Sequence, residues 1–126
     1  MRILKSSEDY LEAMLMMREQ HGYIRSIDIA GELKVSKPSV SYAVKRLREN
    51  GYILMDKDGL ITLTDKGMDI AERVYDRHKT LTRFLQSIGV SEDAARADAC
   101  KIEHDLSEET FAAVKKHTEQ MDTMRQ

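Results

Sequence analysis

Residues 26–63 read SIDIAGELKVSKPSVSYAVKRLRENGYILMDKDGLITL, and a change of period inside this stretch decides the fold. Its first part is helical. Ser26 is placed to cap a short helix whose apolar positions are Ile27, Ile29, Ala30 and Leu33. Lys34-Val35-Ser36 makes a turn and Ser36 caps the next helix. Pro38 falls in that helix's first turn, where a missing N–H costs little. The helix directs Val40, Val44 and Leu47 inward and stops at Asn50-Gly51. Beyond it, Tyr52 to Met55 and Leu60 to Leu63 read as strands around the turn Asp56-Lys57-Asp58-Gly59, a β-hairpin. Two short helices joined by a tight turn and followed directly by a hairpin make a helix-turn-helix with a wing.

Upstream, Leu11, Met14, Leu15 and Arg18 recur at helical spacing between Ser7 and Gln20, and Gly22 stops that helix. Downstream, Thr64 or Asp65 begins a long helix through Ile70, Val74, Leu81 and Leu85 to Gly89. Ser91 caps a helix from about Glu92 to Asp105, and Ser107 caps a last one from Glu108 onward. The expected fold is mainly α: a winged helix-turn-helix over residues 1–70, then a helical region over 71–126. Ile88, Val90, Phe111 and Val114 offer that second region apolar surface for a dimer contact.

The 126 residues, 14.5 kDa, are 41% hydrophobic and 33% charged, a globular balance with no apolar run near the ~20 residues of a bilayer span. MRILKSSEDY has no apolar core of signal-peptide length, and the single cysteine, Cys100, makes no internal disulfide, so a cytoplasmic protein is expected. Net charge is −2, but its distribution is uneven. From Lys34 to Arg48 there are five cations and no acid, whereas acids gather at Glu8, Asp9 and Glu12 and again from Glu92 to Glu109.

A helix that reads the major groove needs short polar donors on its exposed face and cations for phosphates at its flanks. Ser36, Lys37, Pro38, Ser39, Ser41 and Tyr42 stand at the start of the third helix, and Lys45, Arg46 and Arg48 follow. Lys57 at the hairpin tip and Arg25 before the second helix complete the candidate DNA-binding set. A solvated basic face accounts for the helix taken alone; the helix-turn-helix and wing order points to double-stranded DNA.

Cys100, Glu103 and His104 fall at i, i+3 and i+4, so thiolate, carboxylate and imidazole converge on one helix face. His78 lies midway along the long helix, and Asp9 and Glu12 share a face of the first. These six suffice for one octahedral ion with waters, or for two ions. Each also has a plainer account: a buried cysteine, acids favoured by a helix N-terminus, a solvated histidine, a surface Glu-His pair.

The chain resembles the diphtheria toxin repressor family, in particular its short manganese transport regulators. The resemblance runs from Ser7 to about His117. Ser-Glu-Asp-Tyr-Leu-Glu (Ser7 to Glu12), Ile29-Ala30 with Val35-Ser36, Leu63-Thr64-Asp65-Lys66-Gly67, Arg77-His78 and Cys100-Lys101-Ile102-Glu103-His104 carry it. It implies a homodimer whose metal joins a DNA-reading half to a dimerisation half, with Asp9, Glu12, His78, Cys100, Glu103 and His104 matching metal ligands. Manganese regulators usually have glutamate where Cys100 stands, and iron regulators usually have methionine where Asp9 stands; this chain combines the two patterns. It also ends at Gln126, short of the SH3-like third domain of the longer iron regulators. The expected cofactor is therefore Mn²⁺ or Fe²⁺, one or two ions per subunit. The expected function is metal-dependent repression of manganese or iron uptake genes. The alternative is a winged-helix regulator that answers to an organic ligand or to no metal. A metallohydrolase using Glu103 or Glu12 as base has no accompanying nucleophile motif or phosphate loop, so no enzyme and no membrane partner are expected.

Overall fold

The structure, a computed structural model, describes residues 5–125, so the first four residues of the stretch weighed for an export signal lie outside it, as does Gln126. The chain divides into two compact units, Met1–Arg73 and Val74–Gln126. Among the described residues no helix is long and apolar enough to cross a membrane.

The first unit contains α1 (Lys5–His21), α2 (Ser26–Leu33), α3 (Lys37–Glu49), β1 (Ile53–Met55), β2 (Ile61–Leu63) and the start of α4 (Asp65–Ser87). The two strands pair antiparallel with Leu54 opposite Thr62. Leu11, Met14, Ile29, Val40, Val44, Leu47, Ile53 and Ile61 are buried in its core, each worth about 1.5–3 kcal/mol relative to exposure. Ile27 departs from the apolar pattern expected of α2: it is 68% exposed, and Ile29 is the buried residue of that helix.

Ser26 does not cap α2, as the sequence suggested, but is its first residue, behind an extended Arg25. The reason lies in the wing. Arg25 bridges Leu60, the Ser26 N–H donates to the Gly59 carbonyl at 3.1 Å, and the Ile61 N–H donates to the Ile24 carbonyl at 2.9 Å. Pairing with the hairpin keeps Arg25 extended, so the helix begins at Ser26 and the non-helical cap position falls on Arg25. The start and stop signals of α3 act as read. The Ser36 hydroxyl accepts from the Ser39 N–H at 3.2 Å, Pro38 lies in the first turn, and Asn50 ends α3 before a left-handed Gly51.

Thr64 rather than Asp65 caps α4: its hydroxyl accepts from the Gly67 N–H at 3.2 Å and donates to the Gly51 carbonyl at 2.7 Å. The long helix is thus pinned to the end of α3. A side chain at Gly67 would collide with the Tyr52 carbonyl, which explains a glycine inside a helix where it is otherwise unfavourable.

The second unit holds the remainder of α4, α5 (Glu92–Ile102) and α6 (Glu108–Arg125). Its core is Val74, Leu81, Ala95, Ala99 and Phe111. Phe111, read from sequence as dimer surface, is only 9% exposed, with the Arg77 guanidinium 5.1 Å over its ring. Ser91 and Ser107 cap α5 and α6 as expected, accepting from the Ala94 and Thr110 N–H groups. Lys115 donates to Asp76 at 2.9 Å, and that bond with its Coulomb attraction holds the ammonium above its ordinary pKa.

Candidate nucleic-acid interface and metal centre

On α3 the buried stripe of Val40, Val44 and Leu47 leaves the opposite face to solvent, and the expected readers occupy it. Lys37, Pro38, Ser39, Ser41, Tyr42, Lys45, Arg46 and Arg48 are all exposed there, as are Ser36 before the helix, Arg25 before α2 and Lys57 in the wing turn. Arg46 donates from Nη1 to the Tyr42 hydroxyl at 3.1 Å, with its guanidinium 5.8 Å from the Tyr42 ring centre. Those contacts order a planar donor fork on the exposed face. Lys45 lies 4.0 Å from Glu49, both side chains more than half exposed, a pairing too weak to compete with a phosphate. A groove of about 550 Å³ between α2 and α3 is lined by Ile27, Lys37, Ser41, Lys45, Arg48 and Met55 among others, so cations rim an apolar floor.

Asp9 and Glu12, one turn apart on α1, are partly and fully buried. Glu8, beside them, is an ion-pair partner: its carboxylate accepts from Arg73 Nη2 at 2.8 Å. In the second unit, His78 Nδ1 lies 2.9 Å from Glu103 Oε2, and His104 Nε2 lies 3.4 Å from Glu103 Oε1. The Glu103 side chain has no exposure, and its Oε1 has no hydrogen bond among the described residues. His104 is 2% exposed at its side chain. A buried carboxylate faced by two imidazoles is costly unless the charge is compensated. Oxygen and imidazole donors of this kind fit a divalent ion of the Mn²⁺ to Zn²⁺ series.

The helix of Cys100 closes on Glu103, whose αR backbone and N–H bond to the Ala99 carbonyl keep the helical spacing from Cys100, while His104 stands in the turn that the Asp105 N–H closes on the Ile102 carbonyl at 3.1 Å. Arg77 donates to the carbonyls of Glu103 and Leu106 at 3.0 and 2.9 Å across that turn. Cys100, for which a buried core role was the plain alternative, is exposed. His78, for which plain solvation was the alternative, is held against Glu103.

Arg77 enters the sequence reading only as part of a motif. The sequence does carry a signal for it: seven residues after Ile70 and three after Val74, it falls on the apolar stripe of α4, where a cation is out of place.

Two family models match consecutive parts of the chain. Residues 2–61 match the iron dependent repressor N-terminal DNA binding domain, and residues 64–124 match the iron dependent repressor metal binding and dimerisation domain. The HTH-type transcriptional regulator MntR of Geobacillus kaustophilus is 41% identical over 102 residues, 81% of this chain and 72% of the relative. An uncharacterised HTH-type transcriptional regulator of Methanocaldococcus jannaschii is 36% identical over 113 residues, covering 88% of this chain and 90% of the relative. Among solved structures, the manganese regulator SloR aligns at TM-score 0.77 with 30% identity, covering 88% of this chain. This chain spans about half of that structure, 52% of its length.

Proposed function

This chain belongs to the iron-dependent repressor family, and from that premise we propose that it is a repressor of metal-uptake genes activated for operator binding by Mn²⁺ or Fe²⁺. The observation that carries the metal reading is the buried Glu103 carboxylate between His78 and His104, with one oxygen lacking a hydrogen bond among the described residues. Asp9, Glu12 and Cys100 complete the ligand set, for one or two ions. When bound, the ion supplies positive charge that compensates these carboxylates and draws the ligands together. Carboxylates favour Mn²⁺ or Fe²⁺, while a thiolate at Cys100 favours Fe²⁺ over Mn²⁺.

Residues 1–70 read DNA, through Arg25, the exposed face of α3 from Ser36 to Arg46, and Lys57. Residues 71–126 bind metal and form the homodimer, which presents two reading helices to half-sites about 34 Å apart. A protein whose ligands on α1 share an ion with those of the second unit samples fewer arrangements of its reading helix, so less ordering cost remains to be met on DNA.

The test is a parallel titration of Mn²⁺, Fe²⁺ and Zn²⁺, anaerobic and reducing, against duplexes selected from a random pool by the metal-loaded protein. Specific binding should appear with Mn²⁺ or Fe²⁺ and vanish on chelation. Equal operator affinity with and without metal would instead favour a regulator that uses an organic ligand or none.

A further inference from the structure

Arg77 is 4% exposed and lies beside His78 on α4. Its Nη1 donates to the carbonyls of Glu103 and Leu106, its Nη2 donates to Glu108 Oε1 at 3.0 Å, and its guanidinium stacks over Phe111. Adjacent residues of one helix therefore grip the same glutamate at two points: Arg77 takes its backbone carbonyl and His78 its carboxylate. An arginine buried to this degree is retained only where its donors are satisfied and its charge is answered. Here Glu108, largely exposed, pairs with the charge from the solvent side, and with the two carbonyls it satisfies the fork beside the candidate metal ligands.

We infer that Arg77, neutralised by Glu108, is a positioning residue that holds the turn from Glu103 to Leu106 in its metal-binding form before any ion arrives. The inference rests on the reading of Glu103 and His104 as ligands and adds what fixes them. A turn outside a helix would otherwise lose its order without metal, and the ordering would weaken ion binding. A planar fork bonding two carbonyls and a carboxylate cannot be replaced by a lysine, which offers a single point of attachment.

The experiment is hydrogen exchange on the full chain after chelation, with Co²⁺ titration alongside. In the metal-free wild type, the Glu103 and Asp105 amides, bonded to the Ala99 and Ile102 carbonyls, should already exchange slowly. In Arg77→Lys they should exchange fast, and Co²⁺ affinity should fall by about 10–100-fold, the usual effect of losing a group that orients a ligand. Fast exchange of these amides in the metal-free wild type, or Co²⁺ binding by folded Arg77→Lys at wild-type strength, overturns the inference. Should Arg77→Lys fail to fold by circular dichroism, Glu108→Gln decides. It keeps the carbonyl bonds but leaves the guanidinium charge uncompensated, so Co²⁺ affinity should drop severalfold, and unchanged affinity overturns the inference. Failure of the underlying metal reading is distinguishable: wild type would then bind no Co²⁺, or Glu103→Gln would bind it equally, whatever the exchange result.

Discussion

Arg46 and Lys37 present two different kinds of cation on α3. Arg46 is ordered by Tyr42, whereas Lys37 stands at the helix start, where the positive end of the helix dipole adds its own attraction for a phosphate. Arg46→Ala or Lys37→Ala should weaken DNA binding while leaving Co²⁺ affinity unchanged. For every phosphate that a variant no longer neutralises, the slope of log affinity against log salt should become shallower by about one unit. Normal operator affinity with an unchanged slope in both variants would remove α3 from the DNA interface. Cys100, exposed on α5, poses a separate question. As a ligand it should give the Co²⁺ form a sulfur-to-metal charge-transfer band in the near ultraviolet, which Cys100→Ser abolishes. Cys100→Glu should then shift preference toward Mn²⁺ over Co²⁺. A spectrum without that band, with metal ranking unchanged in Cys100→Ser, would leave the other five residues as the ligand set.

At the level of elements, Gly67 shows what a single carbon does. The first turn of α4 runs so close to Tyr52 that a Cβ would meet its carbonyl, a backbone atom that cannot swing aside. Gly67→Ala should therefore destabilise the first unit by about 1–3 kcal/mol, as overpacking does, although alanine is the better helix former. A urea midpoint at or above wild type would show that α4 can shift at little cost. Most elements are legible in the sequence because their signals are local: Ser36, Ser91 and Ser107 cap with their own hydroxyls, and Asn50-Gly51 stops α3 with its own backbone. Two departures occur where a distant part of the chain bonds the backbone. Ser26 does not cap because Arg25, held extended by its bridge to Leu60 far along the chain, occupies the cap position. Helix α5 ends at Ile102, short of the Asp105 its sequence suggests, and Arg77 of α4 bonds the Glu103 and Leu106 carbonyls across the turn that follows. The six candidate ligands can be picked by residue type and spacing, whereas the clasp that fixes the Glu103 turn follows from three-dimensional packing alone.

For the whole molecule, metal should act as a stabiliser as well as a switch. An ion that binds the folded chain and not the unfolded one stabilises it by about 2.7 kcal/mol when present at 100 times its dissociation constant. For a domain of this size that corresponds to a rise in Tm on the order of 10 °C. The stabilisation should draw on the buried carboxylates, and Glu103, fully buried with imidazoles on both sides, is one of them. Saturating Mn²⁺ should therefore raise the Tm of the wild type but leave Glu103→Gln nearly unmoved. The variant itself, relieved of a buried charge, should melt close to the metal-free wild type. Chelation should lower Tm and abolish specific operator binding together, with weak, salt-sensitive attraction to any duplex remaining, because α3 keeps its cations with or without metal. A wild-type Tm indifferent to Mn²⁺ and Fe²⁺, with operator affinity equally indifferent, would mean that the buried carboxylate is satisfied by its histidines and that the chain reads DNA without a metal.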